Sequence, residues 1–296
     1  GNGAGPTLWA LISTPLLHIL REEGLCVAFK TALSGNEVTF AGYVFVDDSD
    51  TCVAQFDEEE VTVPDIAEML QDSLDTWEGS LRGTGGAINP DKSKWWLFGF
   101  KWVNGEWEYT TIADNPATLV VRDPNGVRTT LQRLPASKAL KTLGIRLAPD
   151  GNNRMQVAYL KKVAKEWAEN VRVGHLPKDL VWDALRSTIL KTLHYPLPAT
   201  TLTFSEADSV MRTLRGKLMN AIGVARNFPL ELQKGPLTFQ GLNVRHLFTA
   251  QSLEHLCMAM KFSHLVSTLT GELMTACHEQ LVFETGLSPP LFTPPF

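Results

Sequence analysis

Apolar and polar positions along this chain repeat with two different periods, and the change from one to the other divides it. Leu8, Leu11, Ile12, Leu16, Ile19 and Leu20 recur every three or four residues up to Gly24, the spacing of one helix face, with Pro15 inside the run as a point of bending or restart. Segments 26–32, 38–46 and 51–56 then read as strands, with Ser34, Gly35 and Asn36 as the turn between the first two. From Pro64, a residue suited to a first helical turn, Ile66, Leu70, Leu74, Trp77 and Leu81 predict a second helix that stops at Gly83, Gly85 and Gly86. Strands at 95–103 and 106–112 flank Asn104 and Gly105, a pair that favours a tight hairpin turn. A second hairpin, 118–122 with 127–131, turns at Asp123, Pro124, Asn125 and Gly126. One more strand, 143–147, ends before Pro149, Asp150 and Gly151. Trp96, Phe98, Phe100 and Trp102 alternate, which reads as the buried face of a strand, with stacking on bases as the other reading.

Beyond residue 152 the period is helical throughout. Val157, Leu160, Ala164, Trp167 and Val171 form one stripe, and Lys161, Lys162, Lys165 and Arg172 fall mostly off it. Val181, Leu185, Ile189 and Leu193 form the next. Ser205 and Asp208 resemble a capping box ahead of Met211, Leu214, Leu218 and Ile222. Residues 246–284 read as two further helices and 289–296 as a Pro-rich tail. Strands mixed with helices, followed by helices alone, predict an α+β fold with a mixed first domain, 1–150, and an all-helical second, 151–296.

Composition narrows the function classes. With 296 residues, 44% of them hydrophobic, the chain can bury a substantial core, yet it holds no uninterrupted apolar run of about 18 residues, so no membrane partner is expected. Cys26, Cys52, Cys257 and Cys277 have no paired spacing, which argues against a disulfide framework or zinc ribbon and for a reducing compartment. His255, Cys257, His264, Cys277 and His278 fit no zinc pattern either, and read as core or surface residues. The opening residues, Gly1 to Pro6, carry neither an initiator Met nor a signal-peptide start, so the chain is expected to begin within a longer protein. The net charge of −5 is unevenly spread. Residues 1–127 hold 7 basic and 20 acidic side chains, residues 128–191 hold 13 and 5, and residues 192–296 balance at 7 and 7. An acidic block beside a basic one suits a protein that binds cations in one place and a phosphate backbone in another; solvated helix faces are the alternative.

Asp47 and Asp48 follow the apolar run Ala41 to Val46, and Ser49 and Asp50 lead into a second apolar stretch. Adjacent carboxylates at a strand tip repel, and a divalent cation relieves that cost. Mg²⁺ takes carboxylate oxygens and keeps water or substrate phosphates as its other ligands, so such a tip suits phosphoryl transfer, although for the pair taken alone a solvated turn is the default reading.

Read in order, these pieces resemble the reverse transcriptases of non-LTR retrotransposons, from the loop before the active-site strand through the palm into the thumb and connection region. Gly1 to Trp9 resembles the second palm motif, with Gly5 where Ser is usual. Phe45, Val46, Asp47 and Asp48 are similar to the aromatic-x-Asp-Asp motif, and Gly85 to Ser93 to the motif of glycine, asparagine and lysine that follows. Leu143 and Gly144 resemble the primer-grip hairpin, and Leu185 to Pro196, with Tyr195, a downstream helix of these elements. The resemblance implies a partial polymerase palm, an antiparallel sheet with helices, followed by a helical thumb. It implies an RNA-directed DNA polymerase, a nucleotidyltransferase that adds dNTPs to a DNA primer on an RNA template with two Mg²⁺ ions, in an intracellular, nuclear setting. Asp47 is then the principal metal ligand, assisted by Asp48, and Lys92 lies near the incoming triphosphate. Gly5 and Pro6 shape the loop against template and nucleotide, and Leu143 and Gly144 support the primer end. Lys161, Lys162, Lys165 and Arg172 follow the duplex phosphates. The family's first catalytic Asp has no counterpart in residues 1–296, so this stretch is expected to be inactive by itself. The alternative is a degenerate polymerase relic that serves as a nucleic-acid-binding or assembly module.

Overall fold

The computed structural model describes residues 5–45, 48–54, 61–225, 227–265 and 267–286, and of residues 5, 6, 172 and 173 the backbone alone. The fold is mixed α+β, half helical, and its chain contacts divide into two compact units, 1–136 with 262–296, and 137–261.

The first unit opens with α1 (Gly5–Glu22), continuous through Pro15. β1 (Val27–Lys30) pairs antiparallel with β2 (Glu37–Phe40), and β3 (Gly42–Phe45) with β4 (Asp48–Thr51). Sequence periodicity gave one strand over 38–46. It is two, because the chain bends at Gly42, where φ is 151° and an added Cβ would lie 2.2 Å from the Asp50 carbonyl oxygen. The two hairpins are stitched together by Cys52 N–H donating to the Ala41 carbonyl (3.0 Å) and a parallel bridge between Val27 and Ala54. Desolvation in this seam pushes the Cys52 thiol up to about 11.

α2 (Val63–Gly83) begins where the Asp65 carboxylate accepts from both the N–H and the hydroxyl of Thr62. Its buried residues serve two clusters. Trp77 and Leu81 join Leu16, Leu20, Cys26 and Ala41, while Ala67 joins Trp95, Leu97, Leu119, Val121 and Leu131. Polar side chains of α2 complete the hydrogen bonding of a strand edge. The Gln71 amide donates to the Val120 carbonyl and accepts from its N–H, both at 2.9 Å, and Glu78 accepts from the Arg122 N–H at 3.0 Å.

The second cluster is framed by β5 (Lys94–Trp95), β6 (Phe100–Val103), β7 (Glu106–Tyr109), β8 (Val120–Arg122), β9 (Arg128–Thr130) and β10 (Gln132–Arg133). β6 pairs with β7, β8 with β9, and β10 runs parallel to β5; every named sheet among the described residues is two-stranded. The expected strand 95–103 is interrupted, and its facing is the reverse of the expectation. Trp95, Leu97 and Gly99 are buried, whereas Phe98, Phe100 and Trp102 are exposed. Gly99 sits so tightly on Val63 and Thr110 that the odd-numbered positions are drawn inward.

In the second unit β11 (Leu140–Thr142) and β12 (Ile145–Leu147) form a hairpin, so Leu143 and Gly144 are its turn and not the start of a strand. α3 (Arg154–Val173) follows, then α4 (Lys178–Ala184), a π-turn at Leu185–Ile189, and α5 (Leu190–His194). α6 (Phe204–Ala221) packs along α3, burying Leu160, Ala164, Leu214 and Leu218. Its capping box is Thr203 with Glu206, not Ser205 with Asp208, since Thr203 is the last extended residue and its hydroxyl accepts from the Glu206 N–H. α7 (Leu230–Lys234) and α8 (Leu247–Phe262) complete the unit, and the buried Gln251 of α8 holds Leu202 through its N–H (2.9 Å) and carbonyl (3.1 Å). By chain contacts this unit begins at Ser137.

The last helix, α9 (Leu269–Thr285), belongs to the first unit. Its Glu279 carboxylate accepts from the N–H groups of Leu33 and Ser34, both at 2.9 Å, and from the Ser34 hydroxyl at 2.7 Å, in the β1–β2 turn. Desolvation raises its pKa, but these hydrogen bonds together outweigh that and hold it at about 2. A pKa depressed in the folded state makes this tether fully present above the ordinary carboxylate range and lost as pH falls toward 2. Protection of the Leu33 and Ser34 amides, measured against their intrinsic exchange rates, should therefore stay high down to about pH 4 and fall below it. In Glu279→Gln that protection should be lower at neutral pH and lose its dependence on pH.

Candidate functional site

The acidic hairpin is built by β3 and β4. Register pairs Phe45 with Asp48, Val44 with Ser49 and Tyr43 with Asp50. Residues opposite one another in an antiparallel pair share a face, so Tyr43, Phe45, Asp48 and Asp50 lie on one side. Val44, on the other side, packs against the cluster of Leu16, Leu20 and Trp77. Phe45 and Asp48 are exposed. Asp47 lies outside the described residues. Asp50 was not singled out from the sequence, although the period of two that places it beside Asp48 is legible there.

Oxygen donors of this kind suit Mg²⁺, but their number falls short: among the described residues no three His, Cys, Asp or Glu side chains converge. A two-ion site thus requires carboxylates beyond those described.

Lys92 is exposed, in the turn that follows Asn89. The Asn89 carbonyl accepts from the N–H groups of Lys92 (3.2 Å) and Ser93 (3.1 Å), and its side-chain oxygen from that of Asp91 (3.2 Å). Ile88 packs against both clusters that α2 serves, so the turn and the acidic hairpin are held by one core. Gly5 and Pro6, expected in a loop, form the first turn of α1, where a proline's missing N–H costs nothing.

In the second unit Leu143 (φ 50°) and Gly144 (φ 88°) are both left-handed, the requirement of a two-residue hairpin turn whose twist matches its strands. The Tyr195 hydroxyl donates to the Leu143 carbonyl at 2.7 Å, and an added Cβ on Gly144 would lie 3.3 Å from the Tyr195 ring. Below the turn, the Arg146 N–H donates to the fully buried Gln156 at 2.9 Å and its guanidinium stacks 3.7 Å over the Tyr159 ring. Tyr195 follows α5 directly, and the π-turn explains how it arrives there. A π-turn absorbs one extra residue and rotates everything after it by about 100°. Leu185, Ile189 and Leu190 thereby all stay buried while Tyr195 comes round to the hairpin.

On α3, Lys161, Lys162 and Lys165 are exposed, off the buried stripe of Val157, Leu160 and Ala164, with Lys161 at its border. Lys162 is 3.7 Å from Glu166, which offsets part of its charge. Lys161 and Lys165, four apart, share one line, and the exposed Arg154, seven residues before Lys161, extends it at a spacing legible in the sequence. The Arg172 side chain lies outside the described residues.

No protein-family model, curated protein or solved structure matches the chain.

The Tyr195 contact is open to direct measurement. Tyr195→Phe removes one hydrogen bond and should cost about 0.5–1.5 kcal/mol, read as faster amide exchange confined to residues 140–147. Gly144→Ala adds left-handed strain to a tight ring contact and should cost about 1–2 kcal/mol or more, with the same local signature.

Proposed function

We propose that residues 1–296 are the palm and thumb portion of an RNA-directed DNA polymerase of the non-LTR retrotransposon type. The observation that carries this reading is the β3–β4 hairpin, which faces Asp48 and Asp50 outward beside Phe45 while Val44 anchors it to α1 and α2. A polymerase needs carboxylates on a strand pair open to a nucleotide, and the exposed Asp48 and half-buried Asp50 on one face support that reading. Asp47 and Asp48, with a further Asp from a preceding strand, would hold two Mg²⁺ ions, which when bound align the primer hydroxyl with the triphosphate and stabilise the charge that develops.

The remaining roles fall to the chain's own residues. Lys92, on its short turn, would set a cation near the triphosphate. The Leu143–Gly144 turn, braced by Tyr195, would support the primer end. Arg154, Lys161 and Lys165 would follow the phosphates of the duplex without reading its sequence. A second reading, a polymerase relic kept as an assembly module, is favoured by one observation, the outward-facing aromatics of β6 and β7.

Primer extension on poly(rA) with Mg²⁺ separates the two. Residues 1–296 alone should give no extension, and robust extension from them would refute the motif assignment. In a polypeptide that also supplies the first catalytic Asp, extension should appear, and Asp47→Asn should abolish it with primer–template affinity nearly unchanged. Loss of affinity as well would mark Asp47 as structural. Lys161→Ala and Lys165→Ala should each weaken duplex binding regardless of sequence and lower the slope of log affinity against log salt by about 1.

A further inference from the structure

We infer that the aromatic face of the β6–β7 hairpin is a docking surface for a second copy of this chain. The hairpin is inside out. Phe100 pairs with Tyr109 and Trp102 with Trp107, so these four rings and Phe98 beside them line one face, at 60%, 39%, 60%, 68% and 42% exposure in that order. The rings are ordered among themselves. Phe100 and Tyr109 lie 4.8 Å apart and Trp102 and Trp107 5.1 Å apart, the latter edge to face.

The face is also held rigidly. Gly99 is wedged against Val63 at the start of α2, Thr110 N–H donates to the Gly99 carbonyl at 2.8 Å, and Lys101 reaches Asp114 at 2.9 Å. Asp114 in turn accepts from the N–H (2.7 Å) and hydroxyl (2.8 Å) of Thr111.

Charge selects the occupant. Lys101, Glu106 and Glu108 occupy the opposite face, with Lys101 across from Glu108, so the aromatic face of the hairpin carries no cation for a phosphate backbone or an anionic lipid. The same absence of charge makes it self-complementary: two copies meet apolar to apolar, with no like charges brought together, as a two-fold interface requires. Area agrees. At roughly 200 Å² per aromatic side chain these exposures leave on the order of 500 Å² in water, at the upper end of what a monomer shows. Two copies face to face bury on the order of 1,000 Å², where specific interfaces begin.

Sedimentation equilibrium of residues 1–296 tests this, with far-UV circular dichroism as the check on folding. A monomer–dimer equilibrium in the micromolar range is expected. Trp107→Glu should raise the dissociation constant at least about 30-fold with an unchanged spectrum, while Phe239→Glu, at an exposed position in the other unit, should leave it as it was. Should Trp107→Glu prove unfolded, Trp102→Gln replaces it under the same criterion. A chain that stays monomeric at all concentrations overturns the proposal, as does a dimer that survives both hairpin variants. So does a monomer whose tryptophan fluorescence is quenched by a single-stranded oligonucleotide.

Discussion

The first unit depends on one helix that buries two faces. A two-stranded pair is marginal alone, because each strand has a single partner and little apolar surface to cover it. α2 makes up the deficit. Its Trp77 and Leu81 close the cluster beneath β1 to β4, its Ala67 closes the one beneath β5 and β8 to β10, and Gln71 and Glu78 bond to the β8 backbone as a neighbouring strand would. Glu78 is itself oriented by Arg82 at 2.7 Å, whose other nitrogen reaches the Asp123 carbonyl at 2.8 Å. The acidic hairpin and the Lys92 turn therefore share a support, although more than forty residues separate them.

How much of this was legible depends on how local the determinant is. The stripe Ile66, Leu70, Leu74, Trp77 and Leu81 specifies α2 by itself, and Val157 to Val171 specifies α3, because a helix's facing is written at intervals of three and four. Strand facing is written at intervals of two, and at 95–103 both parities are apolar. Trp95 and Leu97 compete with Trp96 and Phe98, and it is Gly99 against Val63, a contact 36 residues away in sequence, that decides between them. Periodicity misses the bend at Gly42 and the strand before Leu143 for a related reason. Each is a backbone geometry fixed by the opposing chain, Asp50 in one case and Tyr195 in the other.

The candidate site follows the same division. That the chain bears an acidic tip and a basic helix was readable, since charge needs only composition and spacing. Which groups share a surface was not: Asp50 joins Asp48 through strand register, and Arg154 joins Lys161 and Lys165 through the true start of α3. The π-turn lies furthest from sequence. The stripe Val181, Leu185, Ile189, Leu193 fits an ordinary helix, and nothing in it announces that Leu190 is buried as well or that the phase of everything beyond has shifted.

That shift has a consequence for the 140–147 hairpin. A two-residue turn with two left-handed residues, one of them Leu143, stores strain unless something holds it, and an exposed turn has few means to do so. Tyr195, which follows α5 and the π-turn before it, supplies a hydroxyl to the carbonyl and a ring to the glycine. Packing alone would not demand the arrangement, since Tyr195 is itself largely exposed and contributes little to the core. The left-handed turn is thus fixed from outside its own strands, by a side chain 52 residues further along the chain.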